Sequence, residues 1–148
     1  MGFGTEASIL MSDGRSVSID KVRVGDYVMN KHLKPVRVNA NYKQTNKDCI
    51  SFRRGGSGTT IYCTPGQKFA TYYETTGSVV TDYLTSSEMN AKNAVFKNTG
   101  MIFGTQNNVT LTNYSGTIVS KDVWSLDVGG ITKSFIVNTI IATEDGSI

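Results

Sequence analysis

Short strand-like runs separated by turn dipeptides recur along the chain, and this pattern restricts the fold more than any other feature. Ser16 to Ile19 alternates polar and apolar side chains with a period of two, as a half-buried strand does. Asp13-Gly14, just before it, is a turn dipeptide that accepts positive φ. The sequence therefore predicts an all-β fold of mostly antiparallel strands. The other expected strands are Ser8–Met11, Tyr27–Met29, Val36–Val38, Ile50–Phe52, Thr60–Cys63, Lys68–Tyr73, Ser78–Thr81, Met101–Phe103, Ile118–Val119, Val123–Val128 and Phe135–Ile141.

One segment breaks this pattern and predicts a helix. Thr85 and Glu88 have the spacing of a capping box, with a hydroxyl at the cap and a carboxylate three residues later. A helix of one or two turns should follow and end near Ala91. The chain has 148 residues and no linker divides it, so we expect a single domain with one or two short helices.

Charge and composition exclude several classes of protein. The net charge of +3 and the lack of a basic patch interleaved with aromatic residues argue against nucleic-acid binding. The chain has one histidine, His32, and its two cysteines, Cys49 and Cys63, lack a C-x-x-C spacing, so we expect no metal site and no cofactor. No apolar run is long enough to cross a membrane, and no secretory signal is visible. We therefore expect a cytoplasmic monomer whose cysteines are not joined in a disulfide.

Three segments, taken together, resemble the intein and Hedgehog autoprocessing family. The first is Phe3 to Val28, which is similar to the opening motif of inteins. The second, Thr60 to Phe69, is similar to an internal motif in which a threonine precedes a histidine by three residues. The third, Val123 to Asn138, resembles the penultimate strands. The resemblance implies a horseshoe-like Hint fold and a single splicing domain over residues 1–148.

The resemblance also implies a chemistry located at the two ends of the chain. In the family, a Cys or Ser at the first intein residue attacks the preceding carbonyl, and a nucleophile after the intein then takes over the acyl chain. The last intein residue, an Asn, cyclises and breaks the second bond. These positions fall on Gly2, Ser147 and Gly146, so this chain would lack both essential side chains at 2 and 146. We interpret the two glycines as an inactivation that traps the precursor of a parent with Ser or Cys at 2 and Asn at 146.

Further roles follow from the same resemblance. Thr64 keeps the hydroxyl that polarises the first scissile peptide, and Gln67 stands where the family has histidine. The resemblance implies that Gln67 acts on the same peptide: its amide can donate hydrogen bonds to the scissile peptide and accept them from it, but it does not titrate and cannot protonate a leaving amine. Asp145 occupies the penultimate place, although the family's usual spacing from Phe135 would put Glu144 at the terminal position.

A minority route in the family uses an internal cysteine in the penultimate motif when the first residue is inert. Ser125 holds that place here, and we give this route little weight.

The two ends of the chain suggest where the domain was inserted. Ser147-Ile148 fits the remnant of a downstream host protein, such as a family B DNA polymerase. The break at Asn98 to Gly100, followed by Met101, is a candidate junction between two halves of a split intein. A surface loop is an equal alternative there. The implied partners are therefore the chain's own flanking host segments and a complementary intein fragment.

Two rival functions stay open. A Hedgehog-type autoprocessing domain would use a second substrate in place of Ser147 and would not need the final two residues. A non-catalytic β-barrel interaction module would have separated termini and no pocket that joins Thr64, Gln67, Asp145 and Ser147. The position of the chain's two ends relative to Thr64 and Gln67 discriminates between these readings.

Overall fold

The structure, a computed structural model, describes residues 2–97 and 109–143, and within them eleven strands form two sheets. One α-helix and one 3-10 helix accompany the strands. The predicted all-β class with mostly antiparallel strands is confirmed. The strands are β1 (Ser8–Leu10), β2 (Ser16–Ser18), β3 (Tyr27–Met29), β4 (Pro35–Arg54), β5 (Ile61–Cys63), β6 (Lys68–Thr75), β7 (Ser78–Thr85), β8 (Val95–Phe96), β9 (Leu111–Val128), β10 (Ser134–Val137) and β11 (Ile140–Thr143).

The first sheet brings strands from the beginning and the end of the chain side by side. Its order is β2-β1-β10-β11-β6-β7, with β8 added on β6. Ile9 of β1 pairs with Val137 of β10, and Ala142 of β11 pairs with Phe69 of β6. The C-terminal hairpin β10–β11 therefore lies between the N-terminal strand and the middle of the chain.

The second sheet is built on a long two-stranded ribbon. In the described chain, β4 runs for 20 residues and pairs with β9, which runs for 18. The sequence predicted separate short strands at 36–38 and 50–52, and again at 118–119 and 123–128, and this division was wrong. The residues between them are mostly exposed, because this part of the ribbon has little core to face. Without a buried face, the period-two signal disappears although the backbone stays extended.

The predicted helix is confirmed. The α-helix α1 (Ser86–Lys92) begins at a capping box in which Thr85 accepts from the Glu88 amide and Glu88 accepts from the Thr85 amide. It ends at Asn93, whose φ of 54° is the left-handed conformation common at helix C-termini. The Ile19 end of the second predicted strand instead begins the short 3-10 helix Ile19–Lys21.

Aromatic rings occupy the centre of the hydrophobic core. Phe3, Phe52, Phe69 and Phe96 are fully buried, and Phe135 is nearly so. Phe3 contacts the rings of Phe69 and Phe135 edge to face, with centroids 5.9 Å and 6.2 Å away. The N-terminal segment is thus anchored in the core that both sheets share. No helix among the described residues is long and apolar enough to cross a membrane.

Candidate functional site

The N-terminal segment, residues 2–4, lies as an extra extended piece between β5 and β9. Phe3 and Trp124 exchange two backbone hydrogen bonds, of 2.9 Å and 2.8 Å. On the other side, the Gly4 amide donates to the Tyr62 carbonyl at 2.9 Å. Because backbone pairs form on both sides, the position of the first described residue is fixed by the interior of the fold.

Gly2 and Thr64 are joined by a reciprocal pair of hydrogen bonds. The Gly2 amide donates to the Thr64 side-chain oxygen at 3.1 Å, and the Thr64 amide donates to the Gly2 carbonyl at 3.0 Å. The Gly2 amide belongs to the peptide bond that the resemblance to inteins predicts to be the first scissile bond. Thr64 therefore touches the peptide group that it was expected to polarise.

Gln67 closes the turn that begins at Thr64 and extends to the other end of the chain. Its backbone amide donates to the Thr64 carbonyl at 3.0 Å. Its side-chain nitrogen lies 2.8 Å from the Thr143 carbonyl oxygen and 3.1 Å from the Lys68 carbonyl oxygen. Thr143 is the last residue of β11 and the last described residue of the chain. The turn of residues 64–67, called the junction turn below, thus bonds to both ends of the described chain.

Ser125, which holds the place of the internal nucleophile in the family's minority route, lies beside Gly2. A Cβ atom built on Gly2 would come within 2.8 Å of the Ser125 hydroxyl oxygen and within 2.8 Å of the Trp124 carbonyl oxygen. The space that a side chain at position 2 would need is therefore already occupied. The available signal was the position of Ser125 in the third family-like segment, but its distance to Gly2 depends on how β9 pairs with the N-terminal segment.

The other predicted site residues lie outside the described residues. Asp145, Gly146 and Ser147, with Glu144 as the alternative terminal position, all follow Thr143. The predicted split near Gly100 and Met101 also falls outside, between the described ranges.

An ion pair flanks the N-terminal segment on its far side. Lys121 lies 3.4 Å from a Glu6 carboxylate oxygen and packs over the Tyr62 ring, 4.2 Å from its centroid. A Cβ on Gly4 would meet the second Glu6 oxygen at 2.7 Å. A side chain at position 4 would therefore displace the Glu6 carboxylate from its place beside the N-terminal segment.

Both cysteines are buried and carry free thiols, as expected. Cys63 directly precedes Thr64, but it belongs to the hydrophobic core, and burial raises the pKa of its thiol well above the ordinary value. Burial also raises the pKa of the Cys49 thiol. Since the thiolate is the reactive form, neither cysteine is suited to act as a nucleophile. Within residues 2–97 and 109–143, no three His, Cys, Asp or Glu side chains are grouped to hold a metal ion.

Solved structures of inteins match nearly the whole chain. The MchDnaB-1 intein is 15% identical with a TM-score of 0.71, and the match covers 96% of this chain and 98% of that intein. This chain has the Hint fold of inteins. A DnaB intein from Synechocystis sp. PCC 6803 is 17% identical with a TM-score of 0.69, covering 99% of both chains. The gp41-1 intein is 13% identical with a TM-score of 0.65, covering 96% of this chain and 97% of its own.

The likeness to inteins lies in the fold, since these identities are low. No protein-family model matches the chain, and no curated protein sequence matches it. The polymerase host and the split stay predictions. In this fold, the junction turn bonds to both the first and the last described residues, Gly2 and Thr143.

Proposed function

We propose that this chain is a protein-splicing domain. One observation carries the proposal: the junction turn bonds to Gly2 at one end of the described chain and to Thr143 at the other. Splicing breaks two peptide bonds, one at each end of the domain, and joins the two flanking segments by a new peptide bond. Holding both ends on one turn converts an encounter between distant groups into a local step.

The N-terminal step would use the peptide bond before Gly2. A hydroxyl or thiol at position 2 attacks the preceding carbonyl carbon, the C–N bond breaks, and the freed amine of residue 2 takes the proton. Amide resonance opposes this step. Thr64 supports it by accepting the Gly2 N–H, and the return bond from the Thr64 amide keeps that peptide in place.

The C-terminal steps would use the residues that follow Thr143. Ser147 lies four residues beyond it in the sequence, so an extended chain reaches at most about 14 Å. In this proposal, the Ser147 hydroxyl takes over the acyl chain from position 2, and an asparagine at position 146 cyclises to release the domain. Asp145 would exchange a proton in that second step. With glycine at 2 and 146, both cleavages are blocked and the precursor is trapped.

The test is to restore the two side chains and look for the spliced product. Gly2→Cys and Gly146→Asn would be combined in a chain flanked by two reporter peptides, and the ligated reporters would be measured by mass spectrometry. The Ser125 hydroxyl and the Trp124 carbonyl both crowd position 2, so Ser125→Gly would be tested in the same chain to remove the side-chain part of this crowding. No ligated product and no cleavage in either version would contradict the proposal.

The controls separate the rival functions. Thr64→Val in the restored chain should reduce ligation, since the hydroxyl at the Gly2 peptide is lost. Deleting the last two residues should stop ligation if Ser147 is the second nucleophile, but it should leave activity unchanged in a Hedgehog-type domain. A non-catalytic interaction module would show no cleavage in any version.

A second route has one structural observation in its favour. The Ser125 hydroxyl occupies the space next to Gly2 where a first nucleophile would otherwise lie. In this route the Ser125 oxygen attacks the carbonyl before Gly2, the C–N bond breaks, and the amine of Gly2 takes the proton. An unsubstituted chain with an N-terminal reporter would then release that reporter as a hydroxamate on addition of hydroxylamine. Ser125→Ala should abolish this release, and no release from the unsubstituted chain would exclude the route.

If the chain were divided near Gly100, its two fragments would have to assemble through the ribbon of β4 and β9. Strand β9 pairs along most of β4, so the main inter-fragment contact would be this sheet. Residues 1–100 contain 13 of the 15 Lys and Arg residues and 8 Asp and Glu residues, so their net charge is +5. Residues 101–148 contain 2 Lys and Arg residues and 4 Asp and Glu residues, so their net charge is −2. Opposite net charges favour encounter of the fragments. Mixing fragments 1–100 and 101–148 that carry the restored side chains should give ligated reporter, and salt should slow it.

A further inference from the structure

The side chain of Gln67 ends between two backbone carbonyl oxygens. Its nitrogen lies 2.8 Å from the Thr143 oxygen and 3.1 Å from the Lys68 oxygen. Gln67 and Thr143 are both almost completely buried, at 2% and 1% exposure. A carboxamide has two N–H donors, and only its nitrogen can face two carbonyls without repulsion. The orientation of the amide is therefore fixed by its partners.

These two bonds use both donors of the Gln67 side chain. Neither donor is left for the peptide bond before Gly2. That peptide already has its partner, because the Gly2 amide donates to Thr64. Within the junction turn, the Thr64 side chain therefore bonds to the N-terminal end of the described chain and the Gln67 side chain to its C-terminal end.

Strand β11 depends on this anchor at its last residue, Thr143. It pairs with β10 along its length, but its register with β6 is a single pair, Ala142 with Phe69. Beyond that pair, the Thr143 hydroxyl makes a 3.4 Å bond to the Lys68 carbonyl, and the stronger contact is the one from Gln67. Without Gln67, the last carbonyl of β11 would be buried with no described side-chain donor.

We infer that Gln67 is a positioning residue for the C-terminal junction and not a hydrogen-bond donor at the N-terminal one. By holding the Thr143 carbonyl it fixes the residue from which the chain continues toward position 147. The effect on the C-terminal cleavage rests on the proposed splicing function. The two hydrogen bonds of the Gln67 side chain do not depend on that function. It differs from the expectation carried by the family resemblance, in which the residue at this place acts on the first scissile peptide.

The unsubstituted chain gives the first test. If both N–H groups of Gln67 are bonded, its side-chain amide protons exchange slowly with solvent, whereas those of the exposed Gln44 exchange at the rate of a free glutamine. Fast exchange at Gln67 would overturn the inference without any variant being made. The measurement is side-chain amide hydrogen exchange by NMR.

Two variants test what the anchor does. Gln67→Met keeps the length of the side chain and removes both donors, and Gln67→Glu replaces them with a carboxylate that repels the two carbonyls. We expect amide exchange in β11 to accelerate about tenfold in Gln67→Met and more in Gln67→Glu, as loss of buried hydrogen bonds predicts. Thr71→Val is the matched control, because Thr71 is buried on β6 and donates to the Asp82 carbonyl at 3.0 Å, away from both ends. Exchange in β11 of Gln67→Met equal to that of the unsubstituted chain would show that Gln67 only fills space.

The kinetic test uses the chain restored with Gly2→Cys and Gly146→Asn. Cleavage by added thiol reports the N-terminal step, and release of the C-terminal reporter reports the second step. Gln67→Met should slow the second step by about tenfold or more and the first step much less. A larger loss in the first step would overturn the inference. If the restored chain shows no cleavage at all, the splicing proposal fails, while the exchange measurements still decide the role of Gln67.

Discussion

The Gly2 amide nitrogen lies 3.1 Å from the Thr64 hydroxyl oxygen, although 62 positions separate the two residues. This bond predicts the effect of Thr64→Val, which keeps the shape of the side chain and removes the acceptor. In the chain with Gly2→Cys, we expect the rate of thiol-induced cleavage before position 2 to fall roughly 10- to 100-fold, because one hydrogen bond at the reacting peptide is lost. The rate would be followed by mass spectrometry.

Thr60→Val is the control for this change. Thr60 also uses its hydroxyl as an acceptor, from Arg53 at 3.2 Å, but it lies just before β5 and makes no hydrogen bond to Gly2 or Thr143, the two ends of the described chain. Equal rates for the two variants would show that the Thr64 hydroxyl has no special part in the first step.

The crowding at Gly2 predicts that any side chain there lowers stability. A Cβ at this position would lie 2.8 Å from the Trp124 carbonyl oxygen, which is backbone and cannot turn away. Gly2→Ala should therefore reduce the free energy of unfolding by about 1–3 kcal/mol, the usual range for overpacking. Urea unfolding measures it, and Gly58→Ala, where a Cβ meets nothing within 4 Å, should be neutral or slightly stabilising. A neutral Gly2→Ala would show that the N-terminal segment moves freely away from β9.

Phe3 joins the N-terminal segment to the core, and its truncation should be costly. The ring is fully buried and packs edge to face on Phe69 and Phe135. We expect Phe3→Ala to lower the free energy of unfolding by about 3–5 kcal/mol. Ile131→Ala, at a side chain that is 93% exposed, should change it by less than about 0.5 kcal/mol. Denaturant unfolding of both variants compares them, and a small loss for Phe3→Ala would mean that the segment is not part of the core.

The turn between β10 and β11 contains a strained residue. Asn138 and Thr139 have φ of 49° and 66°, and Thr139 is β-branched with a buried hydroxyl that has no hydrogen-bond partner among the described residues. Thr139→Gly would create the Asn-Gly pair that such a tight turn favours and should stabilise the fold by about 1 kcal/mol. Thermal unfolding would show a higher midpoint. Thr81→Gly, at an exposed place in the regular strand β7, should instead lower it.

The Cys63 thiol predicts a loss of stability at alkaline pH. Burial raises its pKa in the folded chain, so the folded state keeps the proton while the unfolded state releases it above its ordinary pKa of about 8.5. Stability should therefore fall as the pH rises above that value, by up to about 1.4 kcal/mol per pH unit from this group. Other groups titrate in the same range, so the measurement is the difference between the unsubstituted chain and Cys63→Ala in urea unfolding at pH 8 and pH 10. Identical slopes for the two chains would contradict the prediction.

The sequence by itself determined the features that depend on neighbours a few residues apart. The capping box at Thr85 and Glu88 and the turn at Asp13-Gly14 form from local hydrogen bonds and backbone preferences, and the period-two runs specify strands with one buried face. The motif around Thr64 also predicted contact with the peptide before Gly2, and the structure has that contact. These interactions are visible in the sequence because their geometry is set within one turn or one strand.

Only the tertiary structure decided which groups meet across the fold. Gln67 and Thr143 are 76 positions apart, and their contact depends on how β11 enters the sheet beside β6. The approach of Ser125 to Gly2 depends in the same way on the pairing between β9 and the N-terminal segment. The length of β4 was hidden because an exposed ribbon carries no periodic signal. Strand register brings distant residues together through backbone hydrogen bonds, which every residue type offers equally, so composition and spacing cannot specify the partner.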